Sequence, residues 1–123
     1  MNDKVILIVD DDPTLLEMYS ERLKAEGAIV LQAMNGEDAI QTIKQNKPHF
    51  ILLDIMMPKI NGFDVLKAIK ADTETSAIPV AVLSALADDQ KKKQAIGLGA
   101  VDFYVKSELL PIDVVEKIKR VIS

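Results

Sequence analysis

The 123-residue chain contains no cysteine and only one histidine, His49. Without a thiol, disulfides, thiolate nucleophiles and thiolate-bound metals are all excluded from its chemistry. This suits a reducing compartment, and a cytoplasmic location is expected. Long hydrophobic runs are missing as well. The apolar stretch nearest the start, Val5–Val9, is closed by acids at Asp10 and is too short for a signal peptide or a membrane span. Basic residues are not in excess either. Fifteen Lys and Arg stand against 19 Asp and Glu, and the resulting net charge of -4 argues against binding along a nucleic-acid backbone. Neither nucleic acid nor a membrane is expected as a direct partner. No linker, low-complexity stretch or internal repeat interrupts the chain.

Its length and composition suit one globular domain. With 49% hydrophobic and 28% charged residues, a chain of this size buries about two thirds of its unfolded surface, and a single domain over 1–123 is expected. Short apolar runs recur at Val5–Val9, Ala28–Ala33, Phe50–Leu53, Val80–Leu83 and Val101–Val105, separated by gaps long enough for helices. In the first gap Leu15, Leu16, Tyr19 and Leu23 fall at helical spacing between Pro13 and Gly27. Ala39, Ile40 and Ile43 predict a second helix, and Phe63, Val65, Leu66 and Ile69 a third. A fourth, the most polar, is expected from about Asp88 to Leu98, with acids at its positive end and Gly97 and Gly99 at its exit. The fifth begins near Pro111 and should carry Ile112, Val115, Ile118 and Ile122 on one apolar face. Five alternations of strand and helix, joined by right-handed crossovers, predict an α/β fold: (βα)5, a doubly wound parallel sheet with helices on both faces.

The polar residues at the strand ends are the candidate site. Phe50-Ile51-Leu52-Leu53 is apolar on both faces, as a buried parallel strand should be, yet it runs directly into Asp54. Ligands of open α/β sheets sit outside the carboxyl ends of the strands. Asp10, Asp11 and Asp12 follow the first run, Ser84 the fourth and Lys106 the fifth, so all come to one edge. Carboxylates that converge there repel one another unless a cation lies among them. With oxygen donors only, Mg²⁺ is the metal that fits, and no organic cofactor is expected.

Asp10-Asp11 after Ile-Leu-Ile-Val, the segment Leu52-Leu53-Asp54-Ile55-Met56-Met57-Pro58-Lys59-Ile60-Asn61-Gly62, the Val-Leu-Ser-Ala strand end and the Phe-Tyr-Val-Lys strand end fall in one order and spacing. In this the whole chain resembles the receiver domain of two-component response regulators, of the chemotaxis-regulator kind. The resemblance implies a flavodoxin-like, five-stranded parallel sheet of order 2-1-3-4-5. It implies a phosphorylation-activated switch in which Asp54 accepts a phosphoryl group, with Mg²⁺, from the phosphohistidine of a sensor histidine kinase or histidine phosphotransfer protein. By the same resemblance Asp11 is a direct metal ligand, Asp10 a ligand chiefly through water, and Asp54 and the Met56 carbonyl complete the metal set. Ser84 would hydrogen-bond the phosphoryl group, Lys106 would pair with it, and Phe103 would change rotamer on phosphorylation. Asp54, Lys106 and Ser84 are thus the candidate catalytic residues. Such a domain has no separate turnover substrate and is not an enzyme in that sense. Its output partner would be a downstream effector protein or domain, with a phosphorylation-dependent homodimer as a further class. The face of the fourth helix, fifth strand and fifth helix is the family's usual signalling surface, where Lys91, Lys92, Asp102, Lys119 and Arg120 supply charge.

Simpler roles stand beside some of these. Asp12 reads as an N-cap of the first helix, Phe103 equally well as plain core, His49 as a loop residue, and Lys91-Lys92-Lys93 as a solvated helix face. Ser107 replaces the family's usual proline after Lys106, so a trans bond is predicted there. A rival reading takes Asp10-Asp11-Asp12-Pro13-Thr14 as the nucleophile motif of haloacid-dehalogenase-like phosphatases, with Asp10 as nucleophile and Asp12 as general acid/base. It leaves Asp54 without a role and finds no paired acids after Lys106 and no room for a cap domain. A third reading is a pseudo-receiver that binds partners without phosphorylation. The end at Ser123 leaves a stand-alone regulator and an excised module as equal expectations.

Overall fold

Each apolar run forms a strand and each gap between them holds one helix: β1 (Val5–Val9), α1 (Pro13–Ala25), β2 (Ile29–Ala33), α2 (Gly36–Asn46), β3 (Phe50–Asp54), α3 (Gly62–Ala71), β4 (Val80–Ser84), α4 (Asp89–Gly97), β5 (Asp102–Val105) and α5 (Pro111–Ile122). The computed structural model describes residues 1–56, 61–85 and 87–122. Met57, Pro58, Lys59 and Ile60 of the segment after Asp54, with Leu86 and Ser123, therefore lie outside the described residues. The strands form one parallel sheet in the order β2-β1-β3-β4-β5, as the resemblance implies.

Side chains alternate across a strand with period two, and this divides the core into two layers. Leu7, Val9, Ile51, Leu53, Val80 and Val82 face α2, α3 and α4, meeting Ala39, Ile43, Val65, Leu66, Ile69 and Ala95. Ile6, Ile8, Phe50, Leu52, Ala81, Leu83 and Tyr104 face α1 and α5, meeting Leu16, Tyr19, Leu23, Val114, Val115 and Ile118. Burial on both faces is what the unbroken apolar runs of β1, β3 and β4 require.

Four strand boundaries differ from expectation. Ala28 does not open β2, because its amide closes the exit of α1 by donating to Leu23 O at 3.1 Å. Val101 does not open β5 and is 48% exposed. At the other ends β3 and β4 each run one residue past their apolar stretch, pairing Asp54 with Leu83 and Ser84 with Val105. The expected span of α4 includes its caps: Asp88 accepts from the amides of Gln90 and Lys91, and Leu98 closes the other end. Gly99, at φ 107, takes the left-handed conformation that turns the chain into β5.

The expected face of α5 is corrected at one position. The buried stripe is Val114, Val115 and Ile118, with Ile122 packed against it, whereas Ile112 is 53% exposed. Ile112 lies in the first turn and lines a cavity of about 140 Å³ with Arg22 and Ala25 of α1 and its C-cap Glu26.

The Tyr104 side chain is 1% exposed and its hydroxyl has no hydrogen-bond partner among the described residues. Burial, with Asp102 nearby, pushes that hydroxyl up to about 12. The Lys117 ammonium lies 5.9 Å from the ring centroid, a contact a phenylalanine ring would keep. An unpartnered buried hydroxyl is destabilising by about 1–3 kcal/mol. Tyr104→Phe is therefore expected to raise unfolding stability by about 1 kcal/mol, measured as a higher urea midpoint at unchanged slope; an equal loss would show that the hydroxyl has a partner.

Candidate functional site

The register of the sheet brings the site together. β1 and β3 are neighbours with Val9 opposite Leu53, so the acids that follow, Asp10 and Asp54, leave the sheet side by side. β4 and β5 pair Ser84 with Val105, and Lys106 N donates to Ser84 O at 2.7 Å, which sets Lys106 one step beyond Ser84. By the alternation of side chains, Asp10, Asp54 and Lys106 continue the rows of Ile8, Leu52 and Tyr104, whereas Ser84 continues the opposite row of Val82.

Carboxylate oxygens of Asp10, Asp11 and Asp54 all lie within 4.8 Å of one another. Asp10 is 1% and Asp54 4% exposed, and Asp11 is exposed. Lys106 Nζ reaches both buried acids, at 3.2 Å from Asp10 Oδ2 and 3.6 Å from Asp54 Oδ2. Backbone amides hold the remaining oxygens: Asp12 N donates to Asp10 Oδ1 at 3.0 Å and Met56 N donates to Asp54 Oδ1 at 2.9 Å. Among the described residues two buried acids thus share one ammonium, with Asp11 beside them. Burial foremost, then the charge of Asp10, lifts the Asp54 carboxyl from 3.8 to about 6 against the opposing pull of the Met56 amide and Lys106. Burial draws Lys106 down, but Asp54 and Asp10 outweigh it and its pKa is raised. A cluster of oxygen donors with surplus negative charge has the donor chemistry of a hard divalent cation, and Asp10, Asp11 and Asp54 could hold one.

Gly62 fixes the loop beyond Asp54. Its amide donates to Ile55 O at 3.2 Å, and a Cβ there would lie 2.5 Å from Asp54 O and closer still to Ile55 Cα. Both obstacles are backbone and cannot yield, so no side chain fits. Sequence reasoning placed Gly62 in the motif without seeing this role. The Met56 amide grips Asp54 Oδ1, a contact separate from the metal-ligand role expected of its carbonyl.

Asp12 takes the simpler of its two roles. Its Oδ1 accepts from Thr14 N at 3.0 Å and Leu15 N at 3.4 Å, capping α1, and it is not in the acidic cluster. His49 is remote, at the start of β1, where its Nδ1 accepts from Val5 N at 2.9 Å. Phe103 is 7% exposed within the core and also borders a cavity of about 140 Å³ with Ala87, Asp88 and Lys92, so core packing and a rotamer change are compatible. Lys106-Ser107 is trans, there being no cis bond among the described residues. Lys119 turns toward α1, 3.1 Å from Glu26, in addition to its contact with Glu116. Lys92 and Lys93 are exposed, but Lys91 is half-buried, its ammonium 3.8 Å from Met56 Sδ. The spacing of residues in sequence gave no sign of that last contact.

The family model described as the response regulator receiver domain matches residues 6–119. Among curated proteins the chain is similar to the DNA-binding dual master transcriptional regulator RpaA of Synechocystis, at 40% identity over 94% of this chain and 46% of that protein. It is also similar to Protein PilH of Pseudomonas aeruginosa, at 39% identity over 88% of this chain and 86% of that one. It thus spans under half of the first relative and most of the second. A crystal structure of a putative response regulator from Chloroflexus aurantiacus superposes with a TM-score of 0.91 at 31% identity, covering 98% of each chain. Among the described residues no helix is long and apolar enough to cross a membrane.

An acid whose folded pKa lies above its unfolded value binds protons better when folded, so it lowers stability as pH rises from 3.8 toward about 6 and beyond. Asp54→Asn removes that penalty. Without divalent cations the variant is expected to be more stable than the native chain above pH 6 by about 1–2 kcal/mol, allowing for screening at a partly solvated site. The difference should vanish near and below the unfolded value of 3.8. Thermal melts across this range check it, and a less stable variant at high pH would contradict the electrostatic assignment.

Proposed function

This chain belongs to the response regulator receiver domain family, and on that footing we propose that it is a phosphorylation-activated switch whose phosphoacceptor is Asp54. The observation that carries the choice is how the two buried acids are held. Asp10 has both oxygens engaged at hydrogen-bond distance, by Asp12 N and Lys106. Asp54 is gripped through Oδ1, while its Oδ2 lies at a looser 3.6 Å from Lys106. That second oxygen is the one positioned to form a new bond.

In the proposed reaction Asp54 Oδ2 attacks phosphorus, the bond from phosphorus to the histidine nitrogen of a partner kinase or phosphotransfer protein breaks, and the imidazole leaves with that electron pair. Such transfers depend chiefly on positioning and on electrostatic stabilisation of the moving phosphoryl oxygens. Lys106 carries positive charge to the same oxygen and can follow it. The Met56 amide keeps the carboxylate oriented, and the Ser84 hydroxyl, at the end of the adjacent strand, is the group that meets the transferred phosphoryl. Held by Asp10, Asp11, Asp54 and the Met56 carbonyl, Mg²⁺ would supply the positive charge that the acids and the phosphoryl group lack. Water attacking the acyl phosphate resets the switch.

The activated state differs because a phosphoryl group contacts Ser84 and Lys106 only when present, which biases one conformation over another. Phe103, bordering a cavity beside α4, is the side chain with space to respond. The output reaches an effector protein or domain, or a second copy of the chain, through α4, β5 and α5. Relatives such as RpaA are named as DNA-binding; the acidic domain described here is read as the controlling part and not as the surface that meets DNA. The phosphatase reading is not favoured, since the carboxylate it needs as general acid/base, Asp12, caps α1.

Incubation with a small acyl phosphate and Mg²⁺ tests the assignment. One hydroxylamine-sensitive phosphoryl group per chain is expected, lost in Asp54→Ala and retained in Asp12→Ala. Modification that survives Asp54→Ala, or steady turnover dependent on Asp10 and Asp12, would overturn it.

A further inference from the structure

We propose that Met56 is an oxidation site whose sulfoxide, formed by hydrogen peroxide, clamps the start of α4 to the exit of β3 through Lys91. Met56 is 58% exposed, so its sulfur is open to a solvent oxidant, while its amide holds Asp54 Oδ1. The Lys91 ammonium lies 3.8 Å from the sulfur and makes no ion pair with any described residue. Lys91 belongs to the first turn of α4, and its own amide is held by the N-cap Asp88 at 3.1 Å. One side chain therefore bridges two segments: the one that leaves Asp54 and the one that follows Ser84.

A thioether sulfur is a weak hydrogen-bond acceptor, and the contact with Lys91 is correspondingly loose. Peroxide transfers one oxygen atom to the sulfur and departs as water, so the sulfur is oxidised and the peroxide reduced. The product is a polar S=O whose oxygen projects from the same sulfur toward a cation already within reach. A hydrogen bond from an ammonium to such an oxygen is charge-assisted and stronger than the contact it replaces. Met34 is also exposed, at 45%, but no described lysine or arginine donates to its sulfur, so its oxidation forms no comparable link. The lesion is reversible, because methionine sulfoxide reductases restore the thioether.

The regulatory consequence rests on Asp54 as phosphoacceptor. A link from Met56 to α4 holds the described, unphosphorylated arrangement on both sides of that residue and so opposes the change that phosphorylation drives.

The test uses the full chain carrying Met34→Leu and Met57→Leu, treated with hydrogen peroxide, with oxidation at Met56 located by peptide mass mapping. Oxidation should slow hydrogen exchange at the Lys91 and Lys92 amides about tenfold, the size of one added hydrogen bond to a charged group. Lys91→Ala should abolish the effect, and reductase treatment should reverse it. Phosphorylation by a small acyl phosphate should slow several-fold on oxidation, except in Lys91→Ala. Unchanged exchange in the oxidised protein, or the same change in Lys91→Ala, would overturn the clamp. Failure of the reduced protein to become phosphorylated would instead refute Asp54 as acceptor, leaving the exchange result to judge the clamp by itself.

Discussion

The crowding of Asp10, Asp11 and Asp54, two of them paired with Lys106, the one ammonium at the cluster among the described residues, is the constraint on which the rest of the molecule depends. Three acids whose oxygens approach within 4.8 Å of each other would separate if their backbones were free. They cannot, because Asp10 and Asp54 extend from adjacent strands registered by Val9 and Leu53, and those strands are buried on both faces between two helical layers. The apolar core thus holds the charges in place. A packed interior transmits strain and does not absorb it, and the Asp54 carboxyl is held there with a raised pKa, chiefly by burial and then by the charge of Asp10.

The same rigidity makes the site responsive. Asp54 is fixed at one oxygen by the Met56 amide, behind it Gly62 packs against the backbone of residues 54 and 55, and its other oxygen faces Lys106. Change in charge at that oxygen has few outlets. It can act on Lys106, and through the Lys106 amide on Ser84, or on the surrounding water. Stability is lowered at this point, and a bound cation or, on the proposed function, a phosphoryl group on Asp54 would relieve it, the usual relation between functional sites and the folds that carry them.

Much of this was legible in the chain, for identifiable reasons. The apolar runs at Phe50–Leu53 and Val80–Leu83 could belong only to central parallel strands, and their ends set Asp54 and Ser84 at one edge. Asp12 could be separated from Asp10 and Asp11 because a helix starting at Pro13 needs a cap. What escaped depends on geometry that spacing does not encode. Ile112 fits the periodicity of α5 but lies in its first turn, 53% exposed, beside a cavity against α1 instead of in the core. The need for glycine at position 62 arises from a backbone approach between residues distant by several positions. The contact of Lys91 with Met56 joins residues from two different crossovers, and a run of three lysines gives no hint which one will fold back.

Thermal unfolding at neutral pH with and without Mg²⁺ is the decisive measurement, since a cation that enters the acidic cluster binds the folded state alone and must stabilise it by mass action. The melting temperature of the native chain should rise with Mg²⁺ concentration, and the rise should be largely lost in Asp11→Asn. A melting temperature that is indifferent to Mg²⁺, or that responds equally in Asp11→Asn, would contradict the account.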